Sequence, residues 1–136
     1  MGAQSPERNP ICIPMILGSP SADDAIIAGA YAYFPRKFIV DKVVLVNGAG
    51  IAASDTDYVK LNLKNGSNIV AEIDTRAAHE GAVTADVGIE LNVSSTYKTI
   101  AASSTLTVQY DETDSGTSVA LTSGVLLVFG YWKETA

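Results

Sequence analysis

Hydrophobic and polar residues alternate along this chain with a period of two, and no stretch holds the 3.6-residue period of a helix, so the pattern predicts strands. Tyr58 to Lys64 (YVKLNLK) sets Val59, Leu61 and Leu63 on one face and Tyr58, Lys60, Asn62 and Lys64 on the other. Asn65-Gly66 then joins it to Asn68–Ile73, and an Asn-Gly pair between two such runs predicts a β-hairpin. Phe38 to Val46 (FIVDKVVLV) is dense in β-branched residues and stops at Asn47-Gly48, a dipeptide suited to a tight turn. Val87 to Val93 and Thr105 to Tyr110 repeat the alternation, the latter with Leu106, Val108 and Tyr110 on one face. Gly124 to Trp132 (GVLLVFGYW) is nearly all apolar, which predicts a strand that is central or covered on both faces.

The remaining segments read less directly. Ala25 to Phe34 (AIIAGAYAYF) has enough Ala to compete as helix, but Gly29 in its middle and Pro35 at its end favour a strand, with Tyr31 and Tyr33 on one face. Asp74 to Thr84 lacks alternation and predicts a long loop holding at most a helical turn, with Asp74 or Thr75 as N-cap. Met1 to Pro10 is polar and proline-containing, and Ile11 to Leu17 is a short apolar run, so residues 1–17 read as a flexible N-terminal arm and 18–136 as one domain. About eight strands separated by Gly, Asn, Ser and Pro turns predict an all-β antiparallel β-sandwich, jelly-roll-like in preference to immunoglobulin-like. Ile51-Ala-Ala-Ser54 and Ile100-Ala-Ala-Ser103 each lead into a strand and read as entry segments of similar geometry.

Composition narrows the function classes. A chain of 136 residues, 47% hydrophobic and 18% charged, suffices for one core and one domain. Fifteen Asp and Glu against nine scattered Lys and Arg give a net charge of −6, which repels a phosphate backbone and argues against nucleic acid as a partner. Ile11 to Leu17 is too short to span a membrane and carries Pro14, and no signal peptide is legible, so synthesis and folding in a reducing cytoplasm are expected. Cys12 is the single cysteine, so an intrachain disulfide and a thiolate metal cluster are both excluded, and it reads as a small buried hydrophobe.

Catalytic chemistry needs residues in sets, and the sequence offers them singly. His79 is the one histidine, beside Glu80 in the polar loop, and reads as an exposed loop residue rather than a base or metal ligand. No serine sits in a Gly-x-Ser-x-Gly elbow, so no activated nucleophile is expected and no enzyme is inferred. Asp23-Asp24, Asp55-x-Asp57 and Asp111-Glu112-x-Asp114 lack EF-hand spacing and read as solvated turns, with no metal or cofactor expected. Asn47-Gly-Ala-Gly50 lacks the third glycine and the helix of a dinucleotide fingerprint. Tyr31, Tyr33, Phe34, Tyr131 and Trp132 could form a sugar-stacking platform, although core packing and subunit contact are the commoner uses of aromatic side chains.

Pro35 to Val46, Asp57 to Leu63, Ile100 to Val108 with Ser115-Gly-Thr117, and Gly124 to Trp132 together resemble the small β-sandwich accessory proteins of tailed-bacteriophage virions, especially head decoration proteins. The resemblance is one of texture over Pro35 to Trp132: short strands, Ala, Ser, Thr and Gly linkers, almost no Cys or His. It implies a virion structural protein on the capsid surface, a homo-oligomer and often a homotrimer, that bridges and stabilises the major capsid protein. Tail, fibre and adaptor proteins share the texture, so a carbohydrate-binding or adaptor module is the alternative. If the resemblance holds, Ile11, Ile13, Met15 and Leu17 of the arm are candidate partner contacts, adding a strand to a neighbour's open sheet edge. Pairing of that segment within its own domain is the other possibility.

Overall fold

The computed structural model describes residues 10–20, 25–113 and 119–133. Met1 to Asn9 of the expected arm, Asp23-Asp24, Asp114 and Ser115-Gly-Thr117 lie outside the described residues. Among the described residues ten strands form: β1 (Ile11–Gly18), β2 (Ala25–Phe34), β3 (Phe38–Val46), β4 (Tyr58–Asn65), β5 (Asn68–Asp74), β6 (Ile89–Glu90), β7 (Asn92–Val93), β8 (Thr99–Ile100), β9 (Ser104–Thr113) and β10 (Gly124–Trp132). All pairings are antiparallel. Sheet A runs β1-β10-β3, with β6 and β8 side by side along the far edge of β3, and sheet B runs β2-β9-β4-β5-β7. The all-β expectation holds, and the Ala-rich Ala25–Phe34 is a strand.

Alternation supplies the core. Leu126 and Val128 of β10, Val59, Leu61 and Leu63 of β4, and Leu106, Val108 and Tyr110 of β9 all point inward and are buried. Each such Leu, Val or Phe removed from water contributes roughly 1.5–3 kcal/mol. In β3 the inward set is Phe38, Val40, Val43 and Leu45, which breaks the period of two. The reason is a bulge: Phe129 pairs with Lys42 and Gly130 with Val40, leaving Asp41 as the extra residue. Gly130 is required there, because a Cβ would lie 2.1 Å from the Ile39 carbonyl oxygen and 2.6 Å from the Phe38 ring.

Three turns differ from the sequence reading. The β4–β5 hairpin forms, but Asn65 pairs with Asn68, so Gly66-Ser67 is the two-residue loop, with Gly66 at φ +62° in its first position. That is where a type II′ turn needs glycine. Asn47-Gly48 makes no hairpin. Asn47 is fully buried and ties three loops together: its Oδ1 accepts from the Thr122 amide at 2.8 Å, its Nδ2 donates to the Ala49 carbonyl at 2.8 Å, and its carbonyl accepts from Asp86. Val87 to Val93 is not one strand. Ile89–Glu90 pairs with β3, the Leu91 amide donates to Val43, and Asn92–Val93 pairs with β5, so this segment crosses between the sheets and closes one side of the sandwich.

On the opposite side the edge strands are β1 and β2, which lie against each other without pairing. β1 pairs with β10 from Ile11↔Gly130 to Gly18↔Gly124, so of the two pairings left open above, this segment has the one within its own domain.

Candidate functional site: the outward face of sheet A

The register of sheet A aligns its outward side chains in rows. Ile16 stands beside Val125 and Val46; Pro14 beside Leu127, Val44 and Glu90; Cys12 beside Phe129 and Lys42; and Tyr131 beside Ile39. Three strands thus carry an apolar surface whose charges, Asp41, Lys42 and Glu90, sit on the β3 side. Ile16 is 63% exposed, Cys12 and Pro14 are exposed, and the β10 members are half-buried by standing against one another across strands. The footprint is about 14 Å by 26 Å, or roughly 400 Å2, from ordinary strand spacing and rise. The largest apolar patch on a soluble monomer is typically of this size, roughly 300–600 Å2, and is often functional. β10 is central, as expected, and the residues of its outer face are half-buried.

The four candidate contact residues all fall on the inward side of this strand. Met15 and Leu17 are buried at 1% and 3% exposure, and Ile11 and Ile13 are half-buried against the core. The outward row is the other parity: Cys12, Pro14 and Ile16. Cys12 is therefore exposed, not buried, because its position in the alternation points it away from sheet B.

The two open edges are poor templates for a further strand. Pro14, in the middle of β1, has no amide hydrogen to offer a new neighbour. In β2, Ile26 pairs with Gln109 but Tyr31 with Thr107, so four residues face one across a wide bulge containing Gly29 at φ +82°. Contact through the face of sheet A is less obstructed than strand addition at either edge.

The outward face of sheet B is polar at its centre, with Ile26, Tyr31 and Tyr33 exposed along edge strand β2 and Ile69 exposed on β5. It carries Thr105, Thr107 and Gln109 of β9, Lys60, Asn62 and Lys64 of β4, and Glu72 of β5. Asn62 is buried among them, its Nδ2 donating to Gln109 Oε1 at 3.2 Å while its Oδ1 has no partner. The aromatic set of the sequence reading is split by the fold. Tyr31 and Tyr33 are 57% and 59% exposed on β2, Phe34 is in the core, and Tyr131 lies on sheet A. Trp132 packs edge-on against Phe38 at 5.0 Å and Phe34 at 6.0 Å, with the Arg36 guanidinium over its ring.

The loop after β5 holds the one tight charged constellation described. Asp74 is buried and receives Arg76 Nε and Nη2, the latter at 2.6 Å, while the Asp74 amide donates to Glu80 Oε1. Burial alone pushes the Asp74 carboxyl up, but the hydrogen bonds from the Arg76 side chain and amide, with the charges of Arg76 and His79, hold it below the ordinary carboxylate value. Asp74 in turn raises Arg76. His79 Nδ1 is 3.9 Å from an Asp74 oxygen that Arg76 already occupies, which makes a turn lock rather than a charge-relay pair. The Arg76–Glu80 segment is a turn, with Asp74 Oδ1 accepting from the Arg76 amide as an Asx turn does.

At the end of the sandwich, Gly50, Ile51, Ala52, Ser54, Asp57, Val119 and Ala120 line an open cleft of about 380 Å3. Ser54 Oγ there accepts the amides of Thr56 and Asp57, which is the work of a turn. Asp55 accepts the Ala77 amide across the neighbouring loop. Among the described residues, no three of His, Cys, Asp and Glu converge as metal ligands, and no helix is long and apolar enough to cross a membrane.

Comparison with known proteins found nothing similar. No family model matches the chain, and neither a curated protein nor a solved structure does. Sequence reasoning had Ile11 to Leu17 and Gly124 to Trp132 as apolar runs, and it missed that they are neighbours whose outward residues merge into one surface. The available signal was the excess of apolar residues over what one buried face needs.

Proposed function

We propose that this chain is a non-catalytic structural subunit of a virion, an accessory protein that binds the outside of a tailed-phage head and stabilises it by bridging major capsid proteins. The observation that carries the reading is the apolar outward face of sheet A, a surface suited to protein contact rather than to chemistry. The strand order supports it. β1 pairs with β10, β2 with β9, β3 with β8 and β6, and β4 with β5, a nested series that we read as a jelly roll, an architecture common in capsid and lectin domains. That is an argument from fold analogy. An acidic surface that resists nonspecific association suits a protein displayed in many copies after synthesis in the host cytoplasm.

Sedimentation with empty heads tests the proposal: the protein is expected to pellet with them and to raise their melting temperature. Heads that neither bind it nor melt higher would overturn it. A second reading, a carbohydrate-binding module of a tail or fibre, is favoured by Tyr31 and Tyr33, which stand exposed beside Thr107 and Thr105. Glycan-array binding that is lost in Tyr31→Ala would select it.

A further inference from the structure

We propose that the occupant of the sheet A face is a second copy of this chain, packed face to face about a two-fold axis that runs across the strands between the Pro14 and Cys12 rows. The inference rests on the reading of this face as a protein-contact surface; the pair buries it, so the pair would meet a head through its other surfaces.

No segment of the chain itself suits the position. Residues 1–9 (MGAQSPERN), 21–24 (SADD), 114–118 (DSGTS) and 134–136 (ETA), which the structure leaves undescribed, are short and mostly polar. A second copy does suit it, because the face is complementary to itself in shape and in charge. Ile16 projects at one end of the face, 63% exposed. At the other end Pro10, Asp41, Phe129, Gly130 and Tyr131 line a depression of about 280 Å3. Six residues of strand, roughly 20 Å, separate Ile16 from Pro10, and the proposed axis bisects that span, so it lays Ile16 of each copy over the depression of the other.

The same axis pairs two of the three charges on the face. Lys42 lies in the Cys12 row, and Glu90 lies in the Pro14 row one strand further out. Rotation exchanges the two rows, so Lys42 of one copy comes beside Glu90 of the other, twice in an isologous pair. Two nearly aligned sheets in contact at about 10 Å are an ordinary sandwich packing. At roughly 400 Å2 per partner the footprint lies below the roughly 500 Å2 per partner of the smallest specific interfaces, so the pair is expected to be weak.

The test is the solution mass of the full chain with charge-swap variants. Light scattering at tens of micromolar is expected to give twice the 14.2 kDa chain mass. Lys42→Glu is expected to raise the dimer dissociation constant about tenfold, since two rim pairs are reversed at once. Adding Glu90→Lys is expected to restore it to within about threefold. Leu127→Asp, at the centre of the face, is expected to give a monomer with an unchanged far-ultraviolet circular dichroism spectrum; the charge swap carries the test if that variant does not fold. A monomeric or trimeric wild type, or a dimer indifferent to the swap, would overturn the proposal. Protein that is monomeric yet binds empty heads would refute the pairing and keep the subunit role; a dimer that ignores heads would do the reverse.

Discussion

The two outer faces of the sandwich are built from the same kind of strand and differ in what they offer to water. In β9 on sheet B, the residues between Leu106, Val108 and Tyr110 are Thr107 and Gln109, so alternation produces one dry face and one wet one. In β10 on sheet A, the residues between Gly124, Leu126, Val128 and Gly130 are Val125, Leu127 and Phe129, and the wet face is missing. The inner faces need only one parity of each strand. The inner faces do not need the second apolar parity on sheet A, and on the proposed reading its use lies outside the subunit.

Substitutions can break or sharpen this contrast. The largest effect is expected below the apolar face, where Gly130→Ala would drive a methyl into the Ile39 carbonyl; a loss above about 3 kcal/mol, or failure to fold, is expected in urea unfolding. Gly66→Ala, in the sheet B hairpin, meets no neighbouring atom and strains only a positive φ, so a loss of about 1 kcal/mol is expected.

A charge placed on each face separates the two next. Leu127→Asp is expected to abolish self-association and to cost the subunit about 1–2 kcal/mol by removing a half-buried apolar side chain. Thr107→Asp, on the polar face, is expected to leave mass unchanged and stability within about 0.5 kcal/mol. Equal effects of the two would remove the distinction between the faces.

Asp74 gives a pH-dependent signature at the rim of sheet B. Its carboxyl is held below the ordinary value of 3.8 in the folded state, so the folded state binds fewer protons there than the unfolded chain. The stability it contributes is therefore fully present above pH 3.8 and is lost as the pH falls through the folded value. Acid titration of the melting temperature is expected to be shallower below pH 3.8 in Asp74→Asn than in the wild type. A similarly small effect is expected at Asn62, where the unpartnered Oδ1 and the Gln109 hydrogen bond nearly cancel; Asn62→Val is expected to change stability by under about 1 kcal/mol, toward greater stability.

How far the fold was legible follows from range. Strand identity was readable because alternation is local: Val59, Leu61 and Leu63, and Leu106, Val108 and Tyr110, were placed on buried faces by spacing alone. The Asn65-Gly66 hairpin was found one residue out of register, because the II′ loop uses the glycine first and Ser67 second. Asn47 was taken for a turn residue, since its partners Thr122 and Asp86 lie far along the chain and nothing local announces them. The sheet A face was invisible for the same reason: β1 and β10 are separated by most of the sequence, and only their pairing puts Ile16 beside Val125 and Pro14 beside Leu127. Cys12 was judged by its apolar neighbours, when its parity in the strand decides its exposure.

Cys12 also offers the most direct test of the claim that this face is a contact surface. It lies in the outward row of β1, exposed in the subunit and covered in the proposed pair, with two copies close enough across the axis for a short bismaleimide. Labelling of Cys12 with a maleimide should be measured as the protein is concentrated from nanomolar to tens of micromolar. The account expects the labelling rate constant to fall at least tenfold over that range in the wild type and to stay constant in Leu127→Asp. A wild-type rate constant that is independent of concentration would contradict it.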